Sequence, residues 1–280
     1  METNVYATIE TITPQMAQVY LTHNTDNRKL RDNTVSFYAK QMRQGDWQLN
    51  GDCIRFAKNG RLIDGQHRLK ACIEAGVPFT TLVVRGLDGE SQITMDKPVM
   101  RTSADTFRFG GIPNAASLSS IIKMFFALKD RRSAINGVSS GFTAGTGKWK
   151  PSDTELTREY FESPDLYQDI HREAARCYDS CRAFPSTMIG AFITYLIKEK
   201  KQDKDYVYDF FEQLCDIKHT EYHVLRACRK IFVNDKMSSV HMVGSAKQSL
   251  IIKAWNYFIR KKDVKYFCYV NSTDKDIWFL

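Results

Sequence analysis

The chain has 280 residues, of which 43% are hydrophobic and 12% aromatic. That is enough to bury one large core or two ordinary ones, and it excludes a disordered chain. Net charge is +8 and unevenly spread, +2 over residues 1–110 and +6 over the remainder, a field that could attract phosphate backbones or simply mark a solvated helical surface.

Residues 5–12, VYATIETI, are rich in β-branched side chains and read as a strand. In 32–47 the residues Val35, Tyr38, Ala39 and Met42 recur at helical spacing, with Gly45 near the end. Residues 52–65 form two short apolar runs around Asn59-Gly60, the signature of a hairpin. A helix closed by Gly76 and an apolar strand at 78–87 complete a compact mixed unit. A punctuated stretch at 95–117 follows, and beyond it the pattern is helical. Leu118, Ile121, Ile122, Phe125 and Leu128 share one face of 115–130. Residues 135–151 read as a Gly/Ser-rich loop, and Pro151-Ser152 with Glu155 resembles a capping box. Further helices are expected at 165–182, 186–201, 204–217, 219–233 and 245–261. The fold class expected is α+β, with an α/β domain over 1–110 and a mainly α-helical domain over 111–280.

No apolar run reaches the length of a membrane span, and METNVYATIE has neither part of a secretory signal. The seven cysteines lack framework spacing and read as reduced thiols, so a cytoplasmic protein is expected.

The densest polar chemistry is Asp64-Gly65-Gln66-His67-Arg68, where the hairpin hands over to a helix. The free N–H groups and positive dipole of a helix N-terminus favour anions. Gly65 allows a positive φ or a close approach, Arg68 offers a planar fork, and His67 a donor or a proton carrier. Gln66 hydrogen-bonds without ionising, and Asp64 could hold Mg²⁺ or act as a base. The structural alternative is that Asp64 caps the helix while Arg68 pairs with Glu74 or Asp52.

GRLIDGQHRLKA resembles the ParB/sulfiredoxin-like superfamily, in the branch bearing an Asp-Gly-Gln-His-Arg motif, and the likeness covers about residues 5–108. Members of that branch occur in bacteriophages, mobile elements and DNA-modification loci. The resemblance implies a ParB/sulfiredoxin-like fold in which Gly65, Gln66, His67, Arg68, Lys70 and Ala71 align with a box that binds the phosphates of CTP. Gln66 stands where that box has a metal-contacting glutamate, so a metal would fall to Asp64 or Asp52. Sulfiredoxins carry their reductant cysteine at the position of Gln66, which excludes their chemistry here unless another thiol intrudes. Free-serine kinases of the superfamily carry a similar Asp-Gly-His-His-Arg, which implies phosphotransfer with Asp46 or Asp52 as the acid. Residues 254–265 also look like the tail of larger phage-type relatives.

Three further groupings bear on function. Asp96, Arg101 and Asp105 could form a second wall of the site, or a salt-bridged helix start capped by Thr102 or Ser103. Between 226 and 262 the chain carries nine basic residues against Asp235 alone. Arg226, Arg229, Lys230, Lys253, Arg260, Lys261 and Lys262 are the candidates for contact with DNA phosphates. Cys177 with Cys181 and His219 with His223 are spaced one helical turn apart, and a helical core explains them better than zinc. GFTAGTGKWK at 141–150 has one residue too many for a phosphate-binding loop and no Ser or Thr after Lys148.

The expectation is a nucleotide-binding protein that acts on or with DNA. In it Gly65, Gln66, His67 and Arg68 clasp phosphates of ATP or CTP, Asp64 or Asp52 positions Mg²⁺, and catalysis would rest on Asp64, His67 and Asp52. Rival expectations are an ATP-dependent phosphotransferase, a nuclease, and a phage protein that intercepts a host factor or signalling nucleotide. A homodimer is left open.

Overall fold

A computed structural model describes residues 5–25, 27, 29–90, 102–129, 151–216, 220–242, 244–264 and 267. The chain divides into two compact units. One holds the described residues up to Glu90 together with 151–154; the other holds 102–129 and 155 onward. The helix at Ser103–Phe109 therefore groups with the second unit, ahead of the boundary expected at 110. No described helix is long and apolar enough to cross a membrane.

The first unit runs β1 (Tyr6–Ile12), α1 (Pro14–Thr22), α2 (Asp32–Arg43), β2 (Cys53–Ala57), β3 (Leu62–Asp64), α3 (Gln66–Ala75) and β4 (Phe79–Leu87). Its four strands lie in the order β1-β4-β2-β3. β1 is antiparallel to β4, β4 is parallel to β2, and β2 with β3 is the hairpin anticipated at Asn59-Gly60. In β4 burial alternates over Phe79, Thr81 and Val83, as expected for a sheet with one face against helices. Ile12, Ile54, Phe56, Leu62 and Val83 meet Ala17 of α1, Ala39 and Met42 of α2, and Leu69 and Cys72 of α3 in a single core. Each such large side chain, fully buried, contributes roughly 1.5–3 kcal/mol by leaving water.

The helix α2 stops at Arg43, short of the expected 47, because the chain turns through Gly45 at φ +71°. The α1 helix was not expected. Thr13 accepts a hydrogen bond from the Met16 N–H at 3.2 Å and Pro14 stands at the first turn, both standard helix-start chemistry.

Every regular element described in the second unit is a helix: α4 (Ser103–Phe109), α5 (Ala115–Lys129), α6 (Asp153–Glu162, whose first two residues group with the first unit), α7 (Pro164–Ser180), α8 (Ser186–Lys198), α9 (Lys204–Cys215), α10 (His223–Met237) and α11 (Gly244–Ile259). The five apolar residues expected on one face of α5 are all buried. In α8 every residue from Met188 to Leu196 is buried, the mark of a central helix. Gly190 allows this: a Cβ there would lie 2.6 Å from Ile121 Cδ1, so α5 and α8 approach closely only with glycine. Trp255, Phe210 and Phe258 pack ring against ring in the same core.

Candidate functional site

β3 ends at Asp64, and the chain enters α3 through Gly65, which takes φ +110° and ψ −2°. A Cβ at Gly65 would meet Ile54 Cγ1 at 2.9 Å and its Cα at 3.3 Å. Sterics and backbone conformation therefore both demand glycine here. The close approach seen is to Ile54 of β2. Gly65 is also the N-cap of α3, with no side-chain cap and no acidic residue in the first turn. Neither a side-chain cap nor an acidic side chain in that turn offsets the positive end of the helix.

Arg68, one turn into α3, reaches back to Asp64, with Nη2 donating to Oδ2 at 3.1 Å. Arg55 on β2, which stands opposite Asp64 in the hairpin register, donates through Nη1 to the same oxygen at 2.8 Å. The Arg68 side chain is 11% exposed, and its Nη1 is buried with no hydrogen-bond partner. Two guanidiniums and a helix dipole against one carboxylate leave the corner electropositive.

This arrangement revises the roles given to the motif. Asp64, expected to hold a metal or act as a base, is an ion-pair partner whose Oδ2 already accepts from two arginines. It does not cap the helix, and Arg68 pairs with it rather than with Glu74, which faces Arg43 at 3.6 Å. His67, expected to clasp phosphate or catalyse, is 8% exposed, and its Nε2 accepts from the Arg31 N–H at 3.1 Å. That bond requires an unprotonated Nε2, so the ring is an internal acceptor. Gln66, 5% exposed, accepts at Oε1 from Asn24 Nδ2 at 3.1 Å. Asn27 ties the same loop to the Leu62 carbonyl at 2.7 Å. Gln66 and His67 therefore pin the connection between α1 and α2 against α3, and Arg68 supplies the motif's positive charge.

Asp52 is exposed just before β2, at the same end of the sheet as Gly65 because β2 and β3 are antiparallel. Asp46 lies in the α2–β2 connection, its N–H bonded to the Gln41 carbonyl at 3.0 Å. Among the described residues, no three His, Cys, Asp or Glu side chains gather in a way that could hold a metal ion. The thiol of α3 is no substitute for a reductant. Cys72 is fully buried, and burial pushes its pKa up to about 11.

Family models, curated proteins and solved structures were all compared with the chain, and none matches.

The second-wall residues divide. Asp96 and Arg101 lie outside the described residues, as does the 141–150 stretch. Asp105 forms a capping box with Thr102 and pairs with Arg108 at 2.7 Å, so its carboxylate starts α4. The structural alternative is the one observed.

The basic face is also redistributed. Arg229, expected on a nucleic-acid surface, is 5% exposed and donates to the carbonyls of Leu214 at 2.7 Å, Gln213 at 2.6 Å and Asp216. It closes the C-terminal end of α9, where a cation suits the dipole. Arg226 donates to the Thr220 carbonyl at 2.8 and 2.6 Å while its residue stays exposed. Lys253 is half-buried, 6.0 Å from the centre of the Phe267 ring. Lys230, Arg260, Lys261 and Lys262 are exposed. Asp263 accepts from the N–H groups of His223 at 2.9 Å and Val224 at 3.0 Å. That cap ties the end of the turn at 260–262 to the first residues of α10. Cys177 and Cys181 are core residues of α7 and its C-cap, and His219 lies outside the described residues.

The residues missed from sequence are Arg55, Asn24 and Arg31. Asn24 and Arg31 act across the α1–α2 connection. Arg55 could have been found by pairing the hairpin strands outward from Asn59-Gly60, which sets it near Asp64.

Proposed function

We propose that the first unit binds the phosphates of a nucleotide at the Gly65–Arg68 corner and that the protein acts on or with DNA, as its resemblance to ParB/sulfiredoxin-like proteins implies. One observation carries the reading: the Arg68 guanidinium is almost wholly withdrawn from water, yet one of its nitrogens lacks an acceptor. A buried, unsatisfied cationic donor costs stability, and such groups are kept where a ligand or water completes them. Arg55 and the uncapped start of α3 add two more sources of attraction for the same anion.

The donor set fits phosphate and does not fit a protein-held Mg²⁺. Asp64 Oδ2 is already taken by two guanidiniums, and Gln66 offers no charge. Any divalent ion would arrive with the nucleotide, so the residues present bind and orient phosphate rather than build a metal centre. The role left to DNA rests on Arg226, Lys230, Arg260, Lys261 and Lys262, exposed in the second unit.

A thermal-shift series with ATP, CTP and GTP, each with and without Mg²⁺, tests the first part. At least one nucleotide should raise the Tm of the wild type and leave Arg68→Ala unmoved. An equal shift in both proteins contradicts the reading. Loss of phosphate from ATP only when an acceptor is added would turn it towards phosphotransfer.

A further inference from the structure

A recess in the first unit lies away from the Gly65 corner. It has a volume of about 510 Å³ and opens outside the carboxyl ends of the parallel strands β2 and β4, where Ala57 stands opposite Leu87. Ligands in open sheets with parallel strands favour that end. The cavity is also of the size that small-molecule sites take.

Its inner wall is aromatic and pre-organised. The Arg85 guanidinium is held by both carboxylate oxygens of Glu10 and by Tyr20 Oη at 2.8 Å. It lies over the rings of Tyr20 and Phe56, 5.7 and 5.5 Å from their centres. The Tyr20 and Phe56 rings meet edge-on at 5.1 Å, so the wall is stiff. The rim is open and carries unlike chemistry: Tyr6 is 53% exposed, and His23 and Lys58 are exposed beside it. Gly86, inside β4 at φ +84°, also lines the recess. A glycine within a strand often marks a place where something approaches the backbone closely.

Aromatic surface together with Lys58, and with Glu10 neutralised by Arg85, matches a flat ring that carries a negative group. We propose that this recess takes one nucleotide unit, its base against the Tyr6 and His23 rim and its phosphate towards Lys58. The site does not depend on the Arg68 reading: it sits at the other end of β2 and shares no residue with the motif. A free nucleotide and a nucleotide within a single strand present the same chemistry here, and the test separates them.

Photo-crosslinking reads the site directly. The full chain is irradiated with 5-iodo-dUMP, or with a single strand of roughly 12 nucleotides containing one 5-iodo-deoxyuridine, a length within the range of single-strand sites. Crosslinked peptides are then mapped by mass spectrometry. The expected result is crosslinking at Tyr6, Tyr20, His23 or Phe56, unchanged in Arg68→Ala. Yield should fall at least about fivefold in Lys58→Glu and in Val19→Trp, as stacking and charge contributions of this kind imply. Val19 lines the recess and is 58% exposed, so the added ring narrows the cavity without entering the core. Crosslinking by both probes identifies a free nucleotide as sufficient, and crosslinking by the strand alone identifies single-stranded nucleic acid. The proposal is overturned if neither probe marks these residues, or if both variants crosslink like the wild type.

Discussion

Arg68 and Gly65 show how two neighbours in one motif answer to different physics. Gly65 is fixed by the fold. Its φ of +110° and the 2.9 Å contact that a Cβ would make with Ile54 mean that Gly65→Ala strains the backbone and wedges β2 from α3. The expected cost is about 2–4 kcal/mol, read as a lower urea midpoint with an unchanged m-value. Arg68 is tied to the fold through Asp64, but its buried Nη1 has no partner there, and the proposed phosphate would complete it. The sequence pointed to both residues but could not separate these causes, because neither the Ile54 contact nor the Arg55 pairing is local in the chain. It also overvalued His67. An imidazole in a polar motif reads as chemistry, and only the position of the Arg31 N–H makes it an internal acceptor.

At the scale of elements, strands and helices were legible wherever apolar periodicity carried them. The hairpin, α3, β4 and the helices from α5 onward lie within a few residues of expectation. The α1 helix was missed because its apolar stripe is short, although Thr13-Pro14 announced it. What holds β1 to its neighbours is partly ionic: the Glu10–Arg85 pair bridges β1 and β4 beneath Tyr20. Burial pushes the Glu10 carboxyl up, but hydrogen bonds from Arg85, Thr8 and Tyr20 outweigh it and hold the pKa at about 2. A depressed carboxylate contributes stability above its unfolded value, and that stability is lost as pH falls towards the folded value. The first unit should therefore lose roughly 2–3 kcal/mol between about pH 4.5 and pH 2. Glu10→Gln should flatten that part of the pH–stability curve in urea titrations, and a curve unchanged by the substitution would remove the ion pair from the account.

For the whole molecule, charge was legible as a quantity but not as a surface. The sequence counted nine cations between 226 and 262, yet folding turns Arg229 inward onto three carbonyls of the α9 end and leaves Arg226, Lys230, Arg260, Lys261 and Lys262 exposed. The two kinds of arginine and lysine should separate by experiment. Arg229→Leu leaves those carbonyls without their donor and should cost about 3 kcal/mol. The double variant Lys261→Glu/Lys262→Glu should leave stability within about 0.5 kcal/mol and weaken DNA binding with a shallower dependence on salt. DNA affinity and salt slope equal to wild type in the double variant would remove the basic turn from the interface. The division into an α/β unit and a helical unit was visible in the switch from mixed to helical periodicity. The short α4 lies inside the punctuated stretch at 95–117, ahead of Gly110, Gly111 and Pro113, and groups with the helical unit.

The most direct measurement is calorimetric titration of ATP, CTP and GTP into the wild type, Arg68→Ala and Arg68→Lys, with circular dichroism confirming that all three are folded. The account predicts saturable binding of at least one nucleotide by the wild type, a loss of at least about tenfold in Arg68→Ala, and incomplete rescue by lysine, which cannot reproduce the planar fork. Binding of equal strength in all three proteins, or no binding to a folded wild type, would contradict it and make the Asp64–Arg68 corner a purely structural junction.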